Sequence, residues 1–323
     1  MPSPQLRSAI GAKYVKKEFH QCRWDDLMQT DWQALLRLAI DEDLGRAGDL
    51  TTCSLVPRDA VGQASIMTRQ PGVVAGLSGV RTALAAVNQS LNWSPEKSDG
   101  QIIKRGERMG VIRGPAQGLF AAERLLLNFL GRLSGIATLT RAYVDSVAGT
   151  GTRIFDTRKT TPGWRRLEKY AVRCGGGWNH RGGLFEAVLI KDNHLAWGAN
   201  SLGETSRYTP AEAVLLARRY IAEHEAKNDP SAIIIEVEVD TLDQLDQVLP
   251  AAPDIILLDN MSVEQLRQAV ARRNKINPNV ELEASGGVTL SSVRQIAEIG
   301  IERISVGALT HSPAALDFGL DWI

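Results

Sequence analysis

From residue 152 onward, short apolar β-rich runs alternate with amphipathic helical stretches, and few folds accept that order. The runs lie at 152–156, 187–190, 232–239, 254–258, 280–284 and 303–306, with helices predicted over 210–227, 242–249, 263–273 and 290–299. Thr209, Thr241 and Ser262 stand where helix N-caps belong. Strands apolar on both faces require a parallel sheet covered by helices, either closed into a barrel or doubly wound. The strand ends favour the barrel. Five runs deliver polar or small groups just past their C-terminal ends: Arg158-Lys159, Lys191-Asp192, Asp259-Asn260, Ser285-Gly286-Gly287 and Gly307. The run at 232–239 ends in the alternation Glu236-Val-Glu238-Val-Asp240. Barrel sites are assembled at that rim from several strands, whereas a doubly wound sheet concentrates function at one switch point.

Residues 30–130 read differently. A helix is predicted over 32–44, then short alternating strands broken by Pro57, Pro71-Gly72, Gly100, Gly106 and Pro115, then a long helix over 117–134. This describes a smaller α+β domain of antiparallel strands. Lys plus Arg equal Asp plus Glu at 37 each, so no global field draws nucleic acid or a membrane, and charge chemistry must be local. Three widely spaced cysteines (Cys22, Cys53, Cys174) offer neither a disulfide framework nor a CxxC pair, which fits a reducing, cytoplasmic setting. No apolar run is long enough to span a bilayer. The first 23 residues carry Arg7, Lys13, Lys16, Lys17 and Arg23 against Glu18 alone, and a mobile basic arm is expected rather than an organellar targeting segment.

Local charge is concentrated in one place. Between Arg153 and Lys191 nine Lys/Arg face three Asp/Glu. Arg grips carboxylate or phosphate bidentately and Lys adds point charge, so the segment suits a multiply anionic substrate. A solvated basic face or an RNA-binding patch has the same charge count; position at strand ends and the glycines at 175–177 and 182–183 favour a site. Glu238 and Asp259 end apolar strands, where carboxylates need a cation. Mg²⁺ near phosphates and a salt bridge to the basic cluster are equal readings. Ser285-Gly286-Gly287 and Ser305-Val-Gly307-Ala308 are the most specific features: bare backbone leading into helices, as in barrel phosphate sites, with His311 just beyond. Walker, Rossmann, HExxH and GxSxG patterns are absent. Asp192-Asn-His194 lacks a third zinc ligand and reads as helix-capping or supporting groups.

Asp-Thr-Arg-Lys-Thr-Thr-Pro-Gly (156–163), Lys-Tyr-Ala-Val-Arg-Cys-Gly-Gly-Gly (169–177), Asn-His-Arg (179–181), Leu-Ile-Lys-Asp-Asn-His (189–194), Glu-Ala-Ser-Gly-Gly (283–287) and Ser-Val-Gly-Ala-Leu-Thr-His (305–311) resemble the quinolinate phosphoribosyltransferases. Glu-Asp-Leu-Gly (42–45), Gly-Asp-Leu-Thr-Thr (48–52) and Glu123-Arg124 extend the likeness over most of the chain. The resemblance implies an N-terminal open α+β sandwich domain (1–130, with the tail 313–323 returning to it) and an incomplete α/β, TIM-like barrel (131–312). It implies phosphoribosyl transfer from phosphoribosyl pyrophosphate (PRPP) to quinolinate with loss of CO₂ and pyrophosphate, in NAD biosynthesis, with Mg²⁺. Members act as homodimers that lend an arginine across the interface, matched here by Arg124. Thr157, Arg158, His180, Arg181 and Lys191 fall on quinolinate-binding positions. Lys159, Glu238 and Asp259 fall around ribose, pyrophosphate and metal; Ser285, Gly286, Gly287, Gly307, Ala308 and His311 fall on the 5′-phosphate site. Trp178, Gly182, Gly183 and Glu186 depart from the family pattern and bear on pocket shape. Rival readings are a same-fold transferase for another acid, a phosphate-ligand-binding protein without turnover, and a Schiff-base aldolase built on Lys191.

Overall fold

The computed structural model describes residues 16–201, 207–224 and 232–323. Residues 1–15 of the basic arm, and 225–227 of the helix predicted from 210, lie outside them. The elements run α1 (Asp26–Leu44), α2 (Leu50–Leu55), β1 (Val61–Thr68), β2 (Gly72–Val73), α3 (Leu77–Val87), β3 (Asn92–Pro95), β4 (Ile102–Ile103), β5 (Arg108–Pro115), α4 (Ala116–Ser146), β6 (Arg153–Phe155) and α5 (Arg165–Cys174). They continue as β7 (Val188–Ile190), α6 (Asp192–Ser201), α7 (Pro210–His224), β8 (Ile235–Val239), α8 (Leu242–Val248), β9 (Ile255–Asp259), α9 (Val263–Ile276), β10 (Glu281–Ser285), α10 (Val293–Ala297), β11 (Arg303–Ser305), α11 (Ala308–His311) and β12 (Phe318–Trp322). The class is the expected one: an α+β part, then strands β6 to β11 interleaved with helices. Among the described residues no helix is long and apolar enough to cross a membrane.

Two units divide the chain. The first holds His20–Gly182, Val288–Glu298 and Ile304–Ile323. Its antiparallel sheet has the order β12-β1-β5-β3, the C-terminal strand pairing with β1 from Ala64↔Trp322 to Thr68↔Phe318. Helix α4 buries Leu119, Leu126, Leu130, Leu133 and Ile136. It continues to Ser146, past the predicted end at 134, because Ile136, Ala137, Thr140 and Tyr143 prolong the buried stripe. That packing outweighs the cost of about 1 kcal/mol for Gly135 in a helix. Helices α2 and α3 replace part of the predicted run of short strands. Asp49 caps α2 through the Thr52 amide, and Asp99 accepts from the Leu77 and Ser78 amides at the start of α3.

The second unit holds Gly183–Gly287, Ile299–Arg303 and, of the N-terminal segment, the described residues 16–19. Its strands pair in parallel, β10 with β9, β9 with β8 and β8 with β7. The caps fall where expected: Thr241 accepts from Gln244, Ser262 and Gln265 form a capping box, and Thr209 and Glu212 bond reciprocally. Over 16–19 the arm is anchored, not mobile. Lys17 donates to the Ile233 carbonyl at 2.8 Å and to Asp254 at 2.9 Å, Lys16 pairs with Glu281, and Phe19 is buried against Arg303. Opposite charges at strand beginnings fix what composition alone left loose.

Candidate active site

In the first unit, β6 ends at the fully buried Asp156. Its carboxylate takes the Lys169 ammonium and the His180 amide (2.9 Å) on one oxygen and the Asn179 side-chain amide (2.7 Å) on the other. Burial pushes the Asp156 carboxyl up, and Lys169, Asn179 and the His180 amide pull it back. Lys169 also donates to the His180 carbonyl at 2.8 Å. Residues 178–181 are thereby locked beside β6, Trp178 forming a parallel bridge with Phe155. The His180 ring Nδ1 accepts the Arg181 amide at 2.9 Å, so a neutral ring carries its proton on Nε2. Arg181 is buried, and the buried Nε of Arg158 meets no acceptor among the described residues. A guanidinium so placed suits an anionic ligand.

Thr157 accepts the Lys159 amide at 3.0 Å and the Thr160 amide meets the Arg158 carbonyl at 3.0 Å, which turns the Thr157–Arg158–Lys159 segment tightly. A second loop of this unit lies against it: Thr310 donates its hydroxyl to the Lys159 carbonyl at 2.7 Å. At Gly307 a Cβ would lie 3.1 Å from Lys159 Cδ and 3.2 Å from His311 Nε2. Bare backbone thus lies between two basic side chains, a setting that suits an anion, and Ala308 starts the short α11 from it. Arg124 stands apart on the exposed face of α4. It lines a depression with Glu42, Asp43, Asn128 and Trp164, outside the Asp156 network.

In the second unit, register does the placing. Leu189 pairs with Glu236, Glu238 with Leu257, and Ser285 with Asp259. With a side-chain period of two, Lys191, Glu238, Asp259 and Ser285 all fall on one face at the C-terminal strand ends. Lys191 forms an ion pair with Glu238, which is one of the two arrangements the sequence left open for that carboxylate. Asp259 accepts from Asn260 at 2.8 Å. Glu238, Asp259 and Asn260 present oxygen donors without sulfur or imidazole, a set that fits Mg²⁺. The Asn260 amide donates to the Ser285 carbonyl at 2.9 Å, tying Asp259 to the Ser285–Gly287 turn. Gly286 has φ +92°, and a Cβ there would meet Asn260 Oδ1 at 2.1 Å.

Sequence reasoning missed four groups. Glu236 and Glu283 lie deeper on the same face, fully buried, where Arg303 donates to Glu283 at 2.9 Å and to Glu281 at 3.3 Å. The Glu-x-Glu alternations at 236–238 and 281–283 were the available signal. Arg132 and Arg165 are the others. Arg165 bonds Thr160 at 3.0 Å and the Gly182 carbonyl at 3.3 Å, giving the unusual Gly182 a backbone role. Trp178 takes Arg153 and Arg173 over its ring at 4.8 and 5.0 Å, which accounts for the tryptophan as a support of β6. His194 Nδ1 accepts the Lys191 amide at 2.9 Å, a helix-start contact as expected. Burial pushes the Cys174 thiol up to about 12, leaving it neutral and poorly nucleophilic.

The chain matches the family models for the quinolinate phosphoribosyl transferase N-terminal domain over residues 49–134 and C-terminal domain over 136–321. It is 41% identical over 305 residues to the carboxylating nicotinate-nucleotide pyrophosphorylase of Mycobacterium leprae, covering 93% of this chain and 98% of that one. A probable enzyme of the same name from Bacillus subtilis is 39% identical over 281 residues, with 87% and 89% covered. The solved nicotinate-nucleotide pyrophosphorylase of Francisella tularensis superposes with a TM-score of 0.82 at 34% identity, over 95% of this chain and 100% of that one.

Proposed function

Given that the chain belongs to the quinolinate phosphoribosyltransferase family, matched in both of its domains, we propose how its residues divide the work. The reaction is transfer of phosphoribose from PRPP to quinolinate with decarboxylation, in NAD biosynthesis. Quinolinate carries two adjacent carboxylates, and Thr157, Arg158, His180, Arg181 and Lys191 receive them. The observation that carries this assignment is the buried Arg158 Nε, which has no acceptor among the described residues, beside a His180–Arg181 segment fixed by Asp156 and Lys169. Arg124, exposed and outside that network, reaches the site of a second copy in a homodimer. Ser285, Gly286, Gly287, Gly307, Ala308 and His311 hold the 5′-phosphate.

Lys159, Glu238 and Asp259 serve the ribose and pyrophosphate, and Glu238 with Asp259 would hold Mg²⁺, directly or through water. When bound, the ion offsets charge on the leaving pyrophosphate. The pyridine nitrogen lone pair forms the bond to C1′ as the C1′–O bond breaks and pyrophosphate takes the electrons. The two carboxylates steady the oxocarbenium-like sugar. The ring nitrogen is then cationic and stabilises the electron pair left on C2 when CO₂ departs; a proton replaces it. No nucleophilic side chain is required, which agrees with a neutral Cys174. The free thiols suit a cytoplasmic setting.

The test is PRPP-dependent release of ¹⁴CO₂ from quinolinate labelled in its C2 carboxylate. Turnover of nicotinate with none of quinolinate would overturn the assignment. Arg158→Ala is expected to keep the fold and lose about 2–5 kcal/mol of transition-state binding, roughly 30-fold to several thousand-fold in kcat/KM; near-native kinetics would remove Arg158 from the site. Mixing inactive Arg124→Ala with inactive Lys191→Ala protein should restore part of the activity. No recovery after verified subunit exchange would contradict a shared site.

A further inference from the structure

Helix α5 buries the carboxylate of Glu168 completely, yet its partners are a loop threonine and an arginine of α4 that itself reaches a second loop. Glu168 accepts from the Thr161 amide at 3.1 Å and the Thr161 hydroxyl at 2.9 Å. Arg132 of α4 donates to it at 2.6 Å through Nη2 and at 3.2 Å through Nε. The same Nη2 bonds the Thr310 carbonyl, and the Thr310 hydroxyl reaches the Lys159 carbonyl at 2.7 Å and the Gly307 carbonyl at 3.3 Å. The chain of contacts closes on itself: Lys159, Thr310, Arg132, Glu168, Thr161 and back along the backbone to Lys159.

We propose that Arg132 and Glu168 are positioning residues that hold the Arg158–Lys159 loop and the Gly307–His311 loop at a fixed separation. The inference rests on the assignment of Lys159 to the pyrophosphate side of PRPP and of Gly307 and His311 to its 5′-phosphate. PRPP then needs both loops at once, whereas quinolinate needs only the first. A buried carboxylate is costly unless fully partnered, and here every partner lies on, or leads to, one of these loops. Severing the ring leaves Lys159 and Gly307 in place as groups but lets their spacing drift, and displacement of an ångström at such a site costs about 100-fold in rate.

The experiment is steady-state kinetics of Glu168→Gln and Arg132→Met, with Arg132→Lys as the conservative variant. The KM for PRPP is expected to rise about 100-fold in the first two, that for quinolinate far less, and Arg132→Lys to recover most of the loss. Parallel loss of kcat with both KM values unchanged would mark a merely structural pair and overturn the proposal, as would equal rises in both. Should Glu168→Gln fail to fold, Thr310→Val removes the direct link alone and must give the same PRPP-selective change. Hydrogen exchange separates this idea from the functional assignment. If the wild-type protein turned over neither substrate, the assignment would fall, and the ring would stand only if Arg132→Met speeds exchange at both 157–162 and 308–312.

Discussion

Lys169→Met is expected to destabilise the protein by about 3–5 kcal/mol, because it strands the buried Asp156 carboxylate without its cation. Methionine matches the length of the lysine stem, so the loss is electrostatic rather than a cavity. Asp156 would keep the Asn179 and His180 donors, but the counter-charge that offsets its burial would be gone, and protonation would become its cheapest state. The His180 carbonyl would lose the Lys169 ammonium at the same time. Residues 179–181, which carry the imidazole and guanidinium assigned to quinolinate, should then move. Urea denaturation measures the first effect and quinolinate KM the second. Asp156→Asn added to Lys169→Met removes the stranded charge and should recover stability while activity stays low. A single Lys169→Met variant with a wild-type midpoint would show that the pair is not what holds this corner.

The same corner explains where sequence reading stopped. Strand ends were legible because apolar runs that finish in Arg-Lys, Asp-Asn or Ser-Gly-Gly announce both an element and its rim. Helix α5 was not legible as a helix: its buried positions include Glu168 and Lys169, so the apolar period that marks helices is broken by charge. Only the fold shows that each of those charges meets its complement. Glu236 and Glu283 were hidden for a related reason. Their alternation with valine and leucine was visible, but nothing local revealed that Arg303, far along the chain, lies among them. Lys16 and Lys17 looked like part of a solvated arm since their partners, Glu281 and Asp254, are equally remote. Local pattern carried the architecture; long-range charge pairing, which fixes the strand ends and the buried acids, did not leave a local pattern.

Gly286→Ala is expected to raise the KM for PRPP about 100-fold and to cost roughly 1–3 kcal/mol of stability. Two separate effects act at this position. The backbone sits at φ +92°, outside the region open to an L-residue. A methyl group would also lie 2.1 Å from Asn260 Oδ1 and 3.0 Å from the Asn260 amide nitrogen. The side chain could rotate away, but the backbone amide is bonded to the Ser285 carbonyl, so relief moves the 259–260 turn itself. Asp259 would move with it, and a change at the proposed phosphate cradle would reach the proposed metal carboxylate. Gly287→Ala is the comparison that isolates the close contact: φ is again positive at +60°, yet no described residue lies within 4 Å of the added carbon. Its effect on PRPP KM should be much the smaller. Equal effects would mean that backbone conformation alone governs the turn. A Gly286→Ala enzyme with wild-type PRPP kinetics would dissociate the Ser285–Gly287 turn from phosphate binding altogether.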